Sequence, residues 1–284
     1  MKPSDILRLV LLAAIWGGSF IFMRVLAPVL GPVITADLRV LIAGITLIVY
    51  FKIIKFDVQW KLNWVHYLII GLINSGIPFL LYSFAALHIP ASYSVILNST
   101  SPLFGAIFSA IWLSDKLTLK KIIGLLLGAI GVAFVSNVGS ATTGAFFGLS
   151  IIACLTAAIC YGLAGVYIKK FAKTAKPMGI AGASQLLAGV AILPFVFFSP
   201  LRGEITTSVV FNILGLALIC SAVAYLIYYK LIADVGVTKA LTVTFLMPAF
   251  GVLWGVIFLS EVVTMPIIVG CALIIAGTIV VVKK

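Results

Sequence analysis

Long apolar runs succeed one another along almost the whole chain, broken only by short polar stretches. A helix needs about 20 apolar residues to cross the hydrocarbon core of a bilayer, and backbone facing lipid must satisfy its own hydrogen bonds. The pattern predicts ten membrane-spanning helices, at residues 6–27, 33–51, 65–87, 91–113, 119–137, 145–168, 178–198, 208–230, 238–259 and 265–282. The first run follows Lys2 and Arg8 as a signal peptide would, but it continues to about Ala27 without a small-x-small cleavage site and reads as the first span.

Composition agrees with the pattern. Of 284 residues 63% are hydrophobic and 9% charged, with a mean hydropathy of +1.30, a surface for lipid and not for water. The net charge of +12 raises the question of nucleic acid, yet the 19 Lys and Arg form no basic domain. They lie in short loops, so the bilayer surface is the expected partner and nucleic acid is not. Alternate loops differ sharply. One set, with the chain ends, holds 16 of the 19, from Lys2 and Arg8 to Lys283 and Lys284, and the other holds Arg24, Arg39 and Arg202. Retention of positive charge on the cytoplasmic side places both termini in the cytoplasm. Cys154, Cys160, Cys220 and Cys271 fall inside apolar stretches without a CxxC pair and read as small buried residues.

The chain repeats itself. Ser101–Thr118 (SPLFGAIFSAIWLSDKLT) aligns with Met247–Thr264 (MPAFGVLWGVIFLSEVVT), pairing Pro102 with Pro248, Gly105 with Gly251 and Asp115 with Glu261. The same offset of 146 pairs Gly124 with Gly270, Gly131 with Gly277, Ser75 with Ser221 and Tyr82 with Tyr228, while Leu41 and Gly44 meet Leu186 and Gly189 at 145 and Gly18 meets Gly162 at 144. The expected fold is an all-α integral membrane protein of ten transmembrane helices, built from a five-helix repeat over 1–138 and a second over 139–284. Five crossings start the second repeat on the opposite side of the membrane, so the repeats have inverted topology, an architecture suited to alternating access.

Two repeats each ending in Pro-x-Phe-Gly, Leu-Ser-Asp/Glu, Thr and two spaced glycines, with Trp16-Gly17-Gly18-Ser19 in the first span and Arg39 in the second, resemble the EamA-type carriers of the drug/metabolite transporter superfamily. The resemblance covers nearly the whole chain. It implies a bacterial inner-membrane exporter or facilitator of amino acids or other small metabolites, with relatives that carry nucleotide sugars or sugar phosphates, and a central cavity lined by the first, third, fourth, sixth, eighth and ninth spans. One departure is visible: Cys160 and Tyr161 stand where the first repeat has Trp16 and Gly17, shifting an aromatic by one position.

Polar groups inside the hydrocarbon region are costly unless they face protein or water, so they point to a cavity. Asn74, Ser75, Pro78 and Tyr82 in the third span, Asn98 and Ser101 in the fourth, Tyr225 in the eighth and Thr244 in the ninth form polar stripes, joined by Trp16, Tyr161 and Gln185 at similar depth. Packing seams are the competing reading, because small residues let transmembrane helices approach. Pro102 and Pro248 free the carbonyls of Asn98 and Thr244 and read as hinges. Arg24, Asp37 and Arg39 lie toward the outer ends of the first two spans, where a structural ion pair or an outer gate is expected. Asp115 and Glu261 are expected at the N-termini of the helices that follow them, and Trp112 and Trp254 at the interface.

No HExxH, GxSxG, P-loop or His/Asp cluster is present, so no catalytic, metal or cofactor site is expected. The lack of an acidic residue at mid-membrane favours facilitated passage over ion coupling. Few cations argue against phosphate-bearing solutes, and aromatic, amide and hydroxyl groups suit zwitterionic or amphipathic ones, amino acids first and aromatic ones among them. A drug carrier of the same fold and a non-transporting scaffold remain the other readings.

Overall fold

A computed structural model describes residues 2–137, 146–236 and 240–282. The regular structure of the described residues is helical, with α1 (Pro3–Ile53), α2 (Trp60–Ala85), α3 (Ala91–Trp112), α4 (Leu119–Asn137), α5 (Phe146–Lys170), α6 (Pro177–Val196), α7 (Thr207–Val235), α8 (Val243–Leu259) and α9 (Met265–Val282). Among the described residues eight of these are long and apolar enough to cross a membrane, and α8 is a shorter apolar helix.

Three differences from the expected pattern have local causes. The first two spans are joined without a loop: α1 runs for 51 residues and bends at Gly31, whose φ of 78° and ψ of 162° break the helix between Pro28 and Pro32. A residue with a Cβ is strained at that φ, and both prolines withhold an amide from the ladder, so the turn needs no extra length. The Val29 carbonyl freed at the bend accepts from the backbone amides of Arg202 and Gly203, which closes the α6–α7 loop over it. The fourth span is interrupted at Ser99 and Thr100, so that Ala91–Asn98 and Ser101–Trp112 are separate helical pieces of α3. The ninth begins at Val243, and its expected start at residue 238 lies outside the described residues.

Glycines set the close approaches, and they do so in reciprocal pairs. A Cβ on Gly124 would lie 2.6 Å from the Gly277 carbonyl oxygen, and one on Gly131 2.7 Å from that of Gly270. Gly124 and Gly131 are the repeat equivalents of Gly270 and Gly277, so each α4 position meets the counterpart of the other. Numbers rise along α4 as they fall along α9, and the two helices run antiparallel. In the same way Gly44 abuts Leu186 while Gly189 abuts Leu41, again antiparallel and again with exchanged equivalents. A third exchange joins Gly17 of α1, one position from the equivalent of Gly162, to Gly251 of α8, and Gly162 of α5 to Gly105 of α3. Residue i touching j′ while j touches i′ is the signature of a two-fold relation. Small residues at such crossings permit the backbone contacts that drive helix association in lipid, where no hydrophobic force acts between helices.

The bundle has two chemically distinct ends. At one, Arg8 pairs with Asp234 (2.6 Å) and Asp5 (3.4 Å), and Lys230 with Asp234 (3.1 Å), tying the start of α1 to the end of α7. At the other, the Glu261 carboxylate accepts from the backbone amides of Ala91 (2.6 Å) and Ser92 (3.0 Å). Contrary to the expectation that it serves the helix that follows it, Glu261 caps α3 from the other half of the chain. The reason is that Gly255 leaves room for the carboxylate to fold back, and the first amides of α3 point into that space. The equivalent Asp115 is exposed and makes no side-chain hydrogen bond among the described residues.

Candidate functional site

Two π-helical segments lie at equivalent points of the halves, Leu72–Gly76 in α2 and Gly215–Val223 in α7. A π turn widens the helix by one residue and re-aims its side chains, and it recurs at functional sites. The first segment carries Asn74 and Ser75, the second Cys220 and Ser221, and both serines are fully buried. Asn74 and Ser75 face the Tyr225 side chain one turn beyond Ser221, although Ser75 Oγ has no hydrogen bond of ordinary geometry.

Aromatic rings gather here in two related sets. Trp16 of α1 packs on Tyr228 at 5.2 Å between centroids and meets Tyr225 edge-on at 5.9 Å. Tyr161 of α5 stacks on Tyr82 of α2 at 6.4 Å, and Phe20 meets Tyr82 edge-on at 5.1 Å. Tyr82 and Tyr228 are repeat equivalents, so the same pair is built twice, each time between the first helix of one half and the third of the other. The one-position shift between Trp16 and Tyr161 is absorbed without losing the pairing.

Polar groups complete the centre. The Tyr82 hydroxyl donates to Asn98 Oδ1 at 3.0 Å, and Ser101 Oγ donates to the Asn98 carbonyl at 2.6 Å. That carbonyl is the one Pro102 deprives of an amide, so the serine beside the proline repairs the break. Arg39 lies within this centre, only 4% exposed. Its Nε donates to Ser221 Oγ at 3.0 Å, near the middle of α7, and its guanidinium carbon sits 3.6 Å from the Phe79 ring centroid.

Arg24, Asp37 and Arg39 make no ion pair among the described residues, so of the two sequence expectations the structural ion pair is not formed. Positions two apart on a helix point in nearly opposite directions, so Asp37 and Arg39 cannot face one partner. Asp37 is 1% exposed with Oδ1 unpaired, and Arg24 donates to the Ala86 carbonyl at the end of α2. Gln185 turns its amide back to the Ala181 carbonyl (3.0 Å), and Thr244 donates to the Leu241 carbonyl (2.9 Å), so neither side chain joins the cluster by a hydrogen bond. Pro78 is buried in α2, one turn before Tyr82. Trp254, expected at the interface, bonds within the bundle: its Nε1 donates to the Ala14 carbonyl at 3.0 Å across the α1–α8 contact. Phe20, Met23 and Phe79 carry no signal in the sequence, because apolar residues inside a span look alike whether they face lipid or a site. The stacking partner Tyr228 is legible there as the repeat equivalent of Tyr82.

A cavity of about 770 Å³ lies apart from this centre, between α3, α4 and α9, with Pro102, Ser109, Asp115 and Lys120 in its wall. Pro102 thus stands between the peripheral cavity and the polar break of α3, whereas Pro248 is held inside the continuous helix α8. Pro102→Ala restores an amide to a helix already interrupted and should slow solute flux through reconstituted vesicles several-fold while leaving the yield of folded protein unchanged. Unchanged flux in both Pro102→Ala and Pro248→Ala would remove the hinge role.

The model of the EamA-like transporter family matches residues 4–137 and again 148–283. The uncharacterized transporter YvbV of Bacillus subtilis is 25% identical over 97% of this chain and 90% of its own length. Protein PecM of Dickeya dadantii is 27% identical over 94% and 88%. A probable amino-acid metabolite efflux pump of Salmonella typhimurium is 24% identical over 98% and 94%. A solved crystal structure shares the fold at a TM-score of 0.67 and 20% identity, over 99% of this chain and 96% of the other.

Proposed function

This chain belongs to the EamA-like transporter family, and on that premise we propose that it exports amino acids or related zwitterionic solutes from the cytoplasm by alternating access. It is a multi-pass membrane transporter. In the proposed arrangement the two arms of α1, with α2 to α9, make ten crossings in two inverted halves, both termini are cytoplasmic, and the home membrane is a bacterial inner membrane.

The exchanged pairing of the halves around an aromatic and polar centre is the observation that carries this function. Equivalent helices that run antiparallel belong to halves of opposite orientation, and two such bundles can rock against each other about a central site. The two ends of the bundle support this further. Glu261 is engaged across the halves while its counterpart Asp115 is exposed, as expected when one of two related closures is made. Trp16, Tyr161, Tyr225, Asn74 and Asn98 are half-buried and supply aromatic faces, hydroxyls and amides, a lining for a small solute with a polar head and an apolar body. The name of the Salmonella relative accords with amino-acid export as the direction and cargo.

Purified protein in liposomes, tested with a panel of radiolabelled amino acids, polyamines and sugars, should move at least one amino acid well above empty-vesicle background. Movement of no member of the panel would overturn the carrier reading. A reporter fused after Lys284 should be accessible only from the cytoplasmic side.

A further inference from the structure

We infer that Arg39 is the counter-ion of the transported solute, and that the solute therefore carries a carboxylate. This rests on the carrier reading and names the substrate class of the same site. Among the described residues the hydrogen-bond and ring partners of Arg39 are all neutral: the Ser221 hydroxyl at 3.0 Å, the Met23 sulfur at 3.5 Å and the face of Phe79 at 3.6 Å. Its other near neighbours are Tyr161, Cys220 and Tyr225, and among the described residues no carboxylate pairs with it. A buried cation in a membrane is costly and is ordinarily held by an anion. Here four helical segments converge on the second arm of α1 that carries it, the first arm of α1, α2, α5 and α7, and none of their described contacts supplies one.

The guanidinium is a planar fork of five donors, and Ser221 and Met23 engage two of its nitrogens through neutral acceptors. A carboxylate matches the fork in shape and brings the charge that no described residue supplies, and a passing solute can carry one. A single cation favours a singly charged group over a phosphate. The ring faces of Trp16, Tyr225 and Tyr228 are the nearby surface for an ammonium or an apolar side chain. An anion that binds Arg39 also draws on residues from both halves, since Met23 and Phe79 belong to the first and Ser221 to the second. Occupancy of the site is thereby linked to how the halves sit together.

The test uses the full-length protein in liposomes, with the acid that the panel identifies as labelled solute and two unlabelled competitors. One is its N-acetyl derivative, which keeps the carboxylate, and the other its carboxamide, which loses it. The N-acetyl compound should inhibit uptake at a concentration at least tenfold lower than the carboxamide. Arg39→Gln should lower uptake at least tenfold and abolish the difference between competitors, and Arg39→Lys should restore part of both. If neither variant folds, the competitor pair on the unaltered protein decides. Equal inhibition by both compounds, or transport confined to solutes without a carboxylate, would overturn the inference and leave the carrier reading standing. No transport of any solute would overturn both.

Discussion

Gly162→Val should yield no stable folded carrier, with the monodisperse peak lost in detergent and the melting transition absent or lowered by about ten degrees or more. A Cβ at this position would lie 2.6 Å from the Gly105 amide nitrogen and 2.8 Å from the Phe104 carbonyl carbon. Both neighbours are backbone and cannot rotate away, so α5 and α3 must separate along their whole contact. Overpacking of side chains costs about 1–3 kcal/mol, and a backbone obstacle lies at the upper end or beyond it. In a bilayer no hydrophobic force between helices offsets that loss. The exchanged partner, Gly17, has the same constraint, 2.9 Å from both the Gly251 nitrogen and the Met247 carbonyl oxygen, and Gly17→Val should behave alike. A Cβ at Gly165 on the same helix would have nothing within 4 Å, so Gly165→Ala should be neutral or slightly stabilising. A Gly162→Val protein that melts with the unaltered one would refute the packing role of the exchanged crossings.

The second large effect is expected at Glu261. Its carboxylate accepts two backbone amides from Ala91 and Ser92, and hydrogen bonds to charged groups contribute about 1.5–3 kcal/mol each. These are the leading amides of α3, without partners in their own helix and at the positive end of its dipole. Glu261→Ala removes both bonds and should loosen the contact between the halves at that end. In the proposed orientation, which puts this end outside, and with cysteine introduced at Ala91, the rate of labelling by a membrane-impermeant maleimide added outside should rise at least fivefold in the Glu261→Ala background, and Glu261→Gln should give an intermediate rate. Asp115→Ala, at an exposed carboxylate without a side-chain hydrogen bond among the described residues, should leave that rate unchanged. Labelling insensitive to Glu261→Ala would show that the cap does not hold this end closed.

Membrane class, most helix positions and the repeat are legible in the amino-acid order, because they depend on quantities that are local or periodic. Apolar length decides whether a segment can cross lipid, and Pro102, Pro248, Gly124 and Gly270 recur at one offset whatever the helices do in space. Candidate polar residues are legible for the same reason: Asn74, Tyr82, Asn98 and Tyr225 are expensive in hydrocarbon and stand out. Which of them meet is not written in their spacing. Asp37 and Arg39 are near neighbours in the chain and part company on the helix, while Arg39 and Ser221 are joined across 182 positions.

Such pairings exist only in the folded chain, since they are set by how helices cross and not by distance along one of them. The irregular backbone belongs to the same level. The bend at Gly31 replaces a predicted loop, and the π turns at Leu72–Gly76 and Gly215–Val223 occur in stretches whose residues look like ordinary apolar helix. A π turn strains the ladder and persists through the packing around it, so its cause lies in neighbouring helices. The same holds for Glu261, whose partner amides are fixed by a close approach at Gly255 that no linear motif records.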